Sequence, residues 1–223
     1  MLSGLIGRKL GMTQLARAGG ELGAVTVLAA GPCVVAQLKV AERDGYEAVQ
    51  LGFGRKKPSR LTKPERGHFA KAGVAVSARL AEFERRAEGP LAPGQTLRAG
   101  EVFKPGDLVD VSGISKGRGY AGVIKRHHFA GFPGSRGTHE YFRHGGSIGN
   151  RSYPGRVRKG LRMAGQMGNE RVTVQNLRVV EVLAEQDAIV VQGAVPGPRG
   201  GYVVIRHAAR PGKKARKTGD GGV

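Results

Sequence analysis

Residues 107–129 read DLVDVSGISKGRGYAGVIKRHHF. In the first part Val109 and Val111 alternate with Asp110 and Ser112, the period of two expected of a half-buried strand. From Ser115 onward the alternation stops, and glycines and cations take its place. The junction therefore separates chain that can build a core from chain that cannot. Downstream, residues 113–162 hold eleven Lys or Arg against one acid, Glu140, a net +10 out of the chain's +20. The same 50 residues carry twelve of the 38 Gly, six of the twelve Phe and Tyr, and four of the six His. Nothing within the window neutralises this charge or supplies an apolar face, so it cannot pack on itself. A polyanion would supply the missing charge. Glycine-rich backbone suits close approach to phosphates, and scattered aromatics suit stacking on bases.

Outward from the junction, short Val-rich runs alternate with turn signals such as GPC, RDGY, KPGD and GPRGGY. Strands are expected at 2–7, 24–30, 34–40, 48–53, 107–114, 172–183, 188–192 and 202–207. Their number and the lack of βα alternation favour a mainly β fold, a small closed barrel. Residues 60–90 break the pattern. Thr62 and Glu65 form a capping box with a Pro in the first turn, and Ser77 is placed to cap a second helix over SARLAEFERRAE. Leu80, Phe83 and Ala87 would share one face of that helix, giving a short helical insertion. The expected organisation is a barrel from 1–112 and 163–210, an extended loop at 113–162 and a basic tail at 211–223. Long irregular runs of this kind are usually functional. Residues 127–160 folded back on themselves would reach roughly 55 Å at about 3.3 Å per residue.

Composition narrows the function. A pI near 10.9 points to nucleic acid. No run of eighteen apolar residues exists and the basic window has no helical apolar stripe, which argues against a membrane. The N-terminal residues lack a signal-peptide pattern, and the single cysteine, Cys33, excludes an internal disulfide. Both features fit a cytoplasmic protein. Cys33 lies among apolar neighbours and reads as a buried thiol. Gly117-Arg118-Gly119-Tyr120-Ala121-Gly122 is a formal GxGxxG after a strand. No second parallel strand ending in an acid follows it, and Lys116, Arg118, Lys125 and Arg126 bracket the glycines, which suits an extended polyphosphate. His127, His128, His139 and His144 lack the Cys or Asp company of a metal site, and adjacent histidines do not converge readily on one ion. No catalytic constellation stands out, so no enzyme activity, cofactor, metal or small-molecule substrate is expected. Arg8, Lys9, Arg85 and Arg86 read equally well as solvated faces or RNA contacts. Lys213, Lys214, Arg216 and Lys217 close a tail expected to order on RNA. On residues alone, a free cytoplasmic nucleic-acid-binding factor and a GxGxxG reductase remain open.

Phe103, Asp110, Gly113, Ser115, Gly117-Arg118-Gly119, Gly122 and Arg126 resemble in spacing the signature of the ribosomal protein L-three family of the large subunit. GLIGRKLGMTQ, AGPC, RDGYEAVQLGF, KPERGHFAKAGV, GGSIGN, RMAGQMGNERVTVQNLRVV and GAVPGPRGGYVVIR are similar to that family's bacterial form, and only the tail beyond about Arg210 has no counterpart. The resemblance implies a six-stranded barrel of the translation-protein type. It implies direct binding to large-subunit rRNA near its 3′ region, a part in early assembly, neighbouring large-subunit proteins as partners, and a loop threading toward the peptidyl transferase centre. Carried onto this chain, Lys116, Arg118, Lys125 and Arg126 would meet phosphates, with Gly117, Gly119 and Gly122 permitting close backbone approach. His127, His128 and His144 would contact RNA, while Arg136, Arg143, Arg151, Arg156, Arg158, Lys159 and Arg162 neutralise it. Tyr141, Phe142 and Tyr153 would stack. The tip falls at 145–154. There Asn150 stands where many members carry a Gln that some methylate, and Gly145-Gly146 replaces an Arg/Lys-Pro step.

Overall fold

The computed structural model describes residues 2–16, 20–85 and 91–210. In chain order the elements are β1 (Gly4–Ala16), β2 (Leu22–Ala29), β3 (Cys33–Lys39), α1 (Ala41–Asp44), β4 (Ala48–Arg55), α2 (Lys63–Ala72), β5 (Ser77–Phe83), β6 (Thr96–Leu97), α3 (Ala99–Val102), β7 (Leu108–Ile114), β8 (Gly119–Ala121), α4 (Val123–His127), β9 (Gly165–Met167), β10 (Arg171–Leu183), β11 (Ala188–Gln192) and β12 (Tyr202–His207). Short 3-10 turns occupy Pro58–Arg60, His139–Arg143 and Ala184–Gln186. The basic tail at 211–223 lies outside the described residues, as do Arg86 and Ala87.

The fold is mainly β. All eight runs read as strands are strands, but they do not share one sheet. Six strands close in the order β1-β12-β7-β10-β11-β2, with β1 pairing both β12 and β2, and every pairing is antiparallel. The alternation seen in the sequence becomes inside and outside in β7, where Val109 and Val111 are buried, and in β12, where Val203 and Ile205 are, whereas β11 is buried throughout Ala188, Ile189, Val190 and Val191. The other two runs, β3 and β4, belong to a second sheet ordered β5-β4-β3-β6. Its buried Val35, Val49, Leu51, Phe53 and Phe83 join the barrel residues in a single apolar cluster. Cys33 is wholly buried there, its thiol near the Ile6 carbonyl oxygen (3.3 Å), and burial pushes its pKa up to about 12. The thiol is inert, as its apolar neighbours implied.

The helical insertion is half right. α2 forms where the capping box placed it, with the Thr62 N–H donating to the Glu65 carboxylate (3.0 Å) and Gly73 ending it in the left-handed region. The second helix does not form. Residues 77–83 are the strand β5, paired antiparallel with β4 from Val49↔Phe83 to Arg55↔Ser77. Burying Phe83 beside Val49 and completing a ladder outweighs the helical preference of Ala, Leu, Glu and Arg. Leu80 stays exposed and so shares no buried face with Phe83.

Arg8 is exposed, as the solvated-face reading has it, but Lys9 is not. The Lys9 ammonium is buried and donates to the carbonyl oxygens of Val195 (2.7 Å) and Gly197 (3.4 Å), while Arg8 Nε donates to the Gly200 carbonyl (2.9 Å). Both brace the loop between β11 and β12.

Candidate nucleic-acid interface

The chain divides into two units, one of residues 1–114 with 171–223 and the other of residues 115–170. The second contains the RNA-binding candidates from Lys116 to Arg162. It contains eleven Lys or Arg and two acids, Glu140 and Glu170, for a net +9. None of the eleven has an ion pair among the described residues. Within 115–170 Ala121 alone is a buried apolar residue. This unit has almost no core and a large unneutralised charge, a combination that is stable in water only with help from counter-charge.

Its order comes from backbone. β8 and β9 pair as a two-stranded ribbon, Gly119↔Met167, Tyr120↔Gln166 and Ala121↔Gly165. The Ser115 N–H donates to the Glu170 carbonyl (2.9 Å), the Glu170 N–H to the Ser115 hydroxyl (3.3 Å) and the Arg118 N–H to the Met167 carbonyl (2.9 Å). Gly168 makes the return possible. Its φ is +71°, and a Cβ there would lie 2.2 Å from the Lys116 carbonyl oxygen. This pairing puts residues 163–170 with the loop, although the sequence placed them with the barrel. Only strand partners distant in sequence reveal the ribbon.

α4 follows the ribbon and spans five residues, so the GxGxxG motif leads into a single helical turn and an antiparallel pair. The parallel βαβ unit of a dinucleotide fold is not formed. Gly119 occupies the left-handed region (φ +68°), whereas Gly122 is the extended N-cap of α4. Arg126 Nη1 donates to the Met163 carbonyl oxygen (2.8 Å), and His127 Nε2 lies 3.1 Å from the same atom. These two residues, expected to meet RNA, thus also tie the outgoing chain to the returning one. Met163 was not singled out from the sequence, because its contribution is a main-chain oxygen that any residue provides.

The remaining candidates face solvent. Lys116, Gly117, Arg118, Lys125, His128, Arg136, Arg143, His144, Arg151, Arg156, Arg158, Lys159 and Arg162 are all exposed. Tyr153 is 88 % and Tyr120 80 % exposed, and Tyr141, Phe142 and Phe132 are exposed too. Tyr120 went unremarked in the sequence, hidden inside the GxGxxG motif. The His144 ring lies against Tyr141, centroids 4.9 Å apart. Around the tip, the Ser147 hydroxyl bonds to the main chain of Gly149. Bare aromatic rings interleaved with unpaired cations are the equipment for stacking on bases and neutralising phosphates. Among the described residues no helix is long and apolar enough to cross a membrane.

Comparison with known proteins agrees with this chemistry. The profile of the family described as "Ribosomal protein L3" matches residues 87–189. The chain is 52 % identical to the large ribosomal subunit protein uL3 of Acidothermus cellulolyticus over 99 % of its own length and 97 % of the relative's. It is 53 % identical to uL3 of Cutibacterium acnes, covering 98 % of this chain and 96 % of that one. With uL3 of Deinococcus radiodurans the identity is 49 % over 94 % and 96 % of the two chains.

Proposed function

The chain belongs to the ribosomal protein L3 family, and from that premise we propose that residues 115–170 anchor it in large-subunit rRNA. It is a structural constituent of the large ribosomal subunit and not an enzyme, and its place is on the cytoplasmic ribosome. The observation that carries the proposal is the pairing of eleven cations lacking ion-pair partners with a unit that buries one apolar residue. Lys116, Arg118 and Lys125 contact phosphates beside the ribbon, with Gly117, Gly119 and Gly122 allowing close approach. Arg126 and His127 shape the turn, and Arg126 keeps its remaining N–H donors for RNA. His128, Arg136, Arg143, His144, Arg151, Arg156, Arg158, Lys159 and Arg162 line the passage through rRNA. Tyr153, Tyr141, Phe142 and Tyr120 stack on unpaired bases.

The six closed strands act as a translation-protein-type barrel, from which the loop runs toward the peptidyl transferase centre. Binding at this position takes place early in assembly and precedes contacts with neighbouring large-subunit proteins. Asn150 at the tip offers no Gln side chain for methylation. Sedimentation of a cell extract through a high-salt sucrose gradient tests the assignment. Comigration with the large subunit through the salt wash is expected. A chain left at the top of the gradient would contradict rRNA anchoring and favour a free nucleic-acid-binding factor.

A further inference from the structure

The strongest unassigned feature is a glycine that the chain itself does not require. Gly67 lies in the interior of α2, outside the left-handed region, and is exposed. A Cβ built on it meets nothing within 4 Å. Gly is among the weakest helix formers, and Ala would stabilise this helix without a clash. Neither backbone strain nor internal packing therefore accounts for the missing side chain. Space kept clear on an exposed helix is space for something outside it.

The surroundings say what that is. Between Arg55 and Lys71 stand seven Lys or Arg and one acid, Glu65. Glu65 is occupied at the cap, accepting from the Thr62 N–H and hydroxyl at 3.0 and 3.1 Å, and those bonds hold its carboxyl below the usual range. At 100° per residue, Gly67 and Ala70 fall between Lys63, Arg66 and Lys71, on the side of α2 away from His68 and Phe69. All five are exposed, as are Lys57, which precedes the adjoining 3-10 turn, and Arg60, which ends it. None of these cations has an ion pair among the described residues. Arg66 is held in place by Nε and Nη2 donating to the Leu61 carbonyl (3.3 and 3.2 Å), and Nη1 makes no hydrogen bond among the described residues.

The face is also firmly mounted. Leu61 and Phe69 are buried beneath it, and His68 Nε2 bonds to Gln50 Oε1 of β4 (2.6 Å). No exposed aromatic accompanies it between Arg55 and Ala72, unlike residues 115–170. A small-residue floor ringed by cations and lacking stacking rings suits the sugar-phosphate backbone of an RNA duplex, not unpaired bases.

We propose that the outer face of α2, centred on Gly67 and rimmed by Lys63, Arg66 and Lys71, is a second rRNA-contact surface that takes duplex backbone. The proposal rests on the rRNA-binding reading of the chain but uses a face distinct from residues 115–170. The test is filter binding of the full chain to protein-free large-subunit rRNA across a KCl series, with variants Lys63→Glu/Arg66→Glu, Gly67→Ala and Arg118→Glu. The double variant is expected to bind more weakly and to flatten the log–log salt slope by about two units, one per lost phosphate contact. Gly67→Ala is expected to raise Tm by roughly 2–4 °C while weakening rRNA binding several-fold, a split that a purely structural residue would not give. Wild-type binding by both α2 variants, with Arg118→Glu impaired, would overturn the proposal and leave the loop reading intact. Impairment of the α2 variants alone would uphold it and sink the loop reading. Unchanged rRNA affinity with a defect only in protein-containing subunits would assign the face to an acidic protein and also overturn it.

Discussion

Arg118 and Arg126 show how one residue type divides its work. Arg118 is exposed, and only its backbone N–H serves the ribbon, through Met167. Arg118→Glu should leave the fold intact, weaken rRNA binding and flatten its salt slope by about one unit, read by filter binding. Arg126 also holds the Met163 carbonyl, so Arg126→Glu should additionally speed amide exchange around 163–165 in the assembled subunit. In the barrel, Ile205 is fully buried, and Ile205→Ala should cost about 2–5 kcal/mol in urea unfolding. Sequence distinguished such core residues by alternation alone. It could not place Lys9, because a lysine that satisfies two carbonyl oxygens of a loop nearly two hundred residues away looks like any surface lysine.

Among the elements, β5 marks the limit of local pattern. SARLAEF has good helix formers and a cap-like Ser77, yet the free edge of β4 and the burial of Phe83 decide its state. The same edge carries a polar chain. The Tyr46 hydroxyl donates to Glu82 (2.7 Å), Lys39 pairs with Glu82 (2.9 Å) and also bonds Tyr46, and Gln50 donates to Glu82 (3.3 Å). The Tyr46 hydroxyl first, then Lys39, holds the Glu82 carboxyl below its usual pKa of 4.5. A carboxylate depressed on folding contributes stability that is present above its unfolded pKa and lost as pH falls through the folded one. Denaturant unfolding between pH 5 and pH 3 should therefore lose less stability in Glu82→Gln than in wild type. A larger acid loss in the variant would exclude the carboxylate as the titrating group. At the ribbon, Gly168→Ala meets both a left-handed φ and the Lys116 carbonyl. It should release the Arg118 amide to fast exchange with little change in the global Tm, since the barrel does not depend on this pairing.

For the molecule as a whole, the division between core-forming and charge-bearing chain was legible at a single point, the change in pattern after Ile114. Eight of the strands were legible too, though β5 and the short β6, β8 and β9 were not. How those strands divide between a closed set of six and a four-stranded sheet was not, since pairing depends on partners distant in sequence. The candidate site was legible as composition, while the ribbon that orders it was not. Removing residues 130–158 should leave a cooperative unfolding transition near that of wild type, because the apolar cluster lies entirely outside them, yet should impair subunit assembly in reconstitution. The central claim is that rRNA supplies the charge and contacts that residues 115–170 cannot supply to themselves. Amide hydrogen exchange on the free chain and on the assembled large subunit tests it most directly. Strands such as β7 and β12 should be protected in both states, and residues 120–165 should exchange rapidly when free and slowly in the subunit. Equal protection of 120–165 in the two states would contradict it.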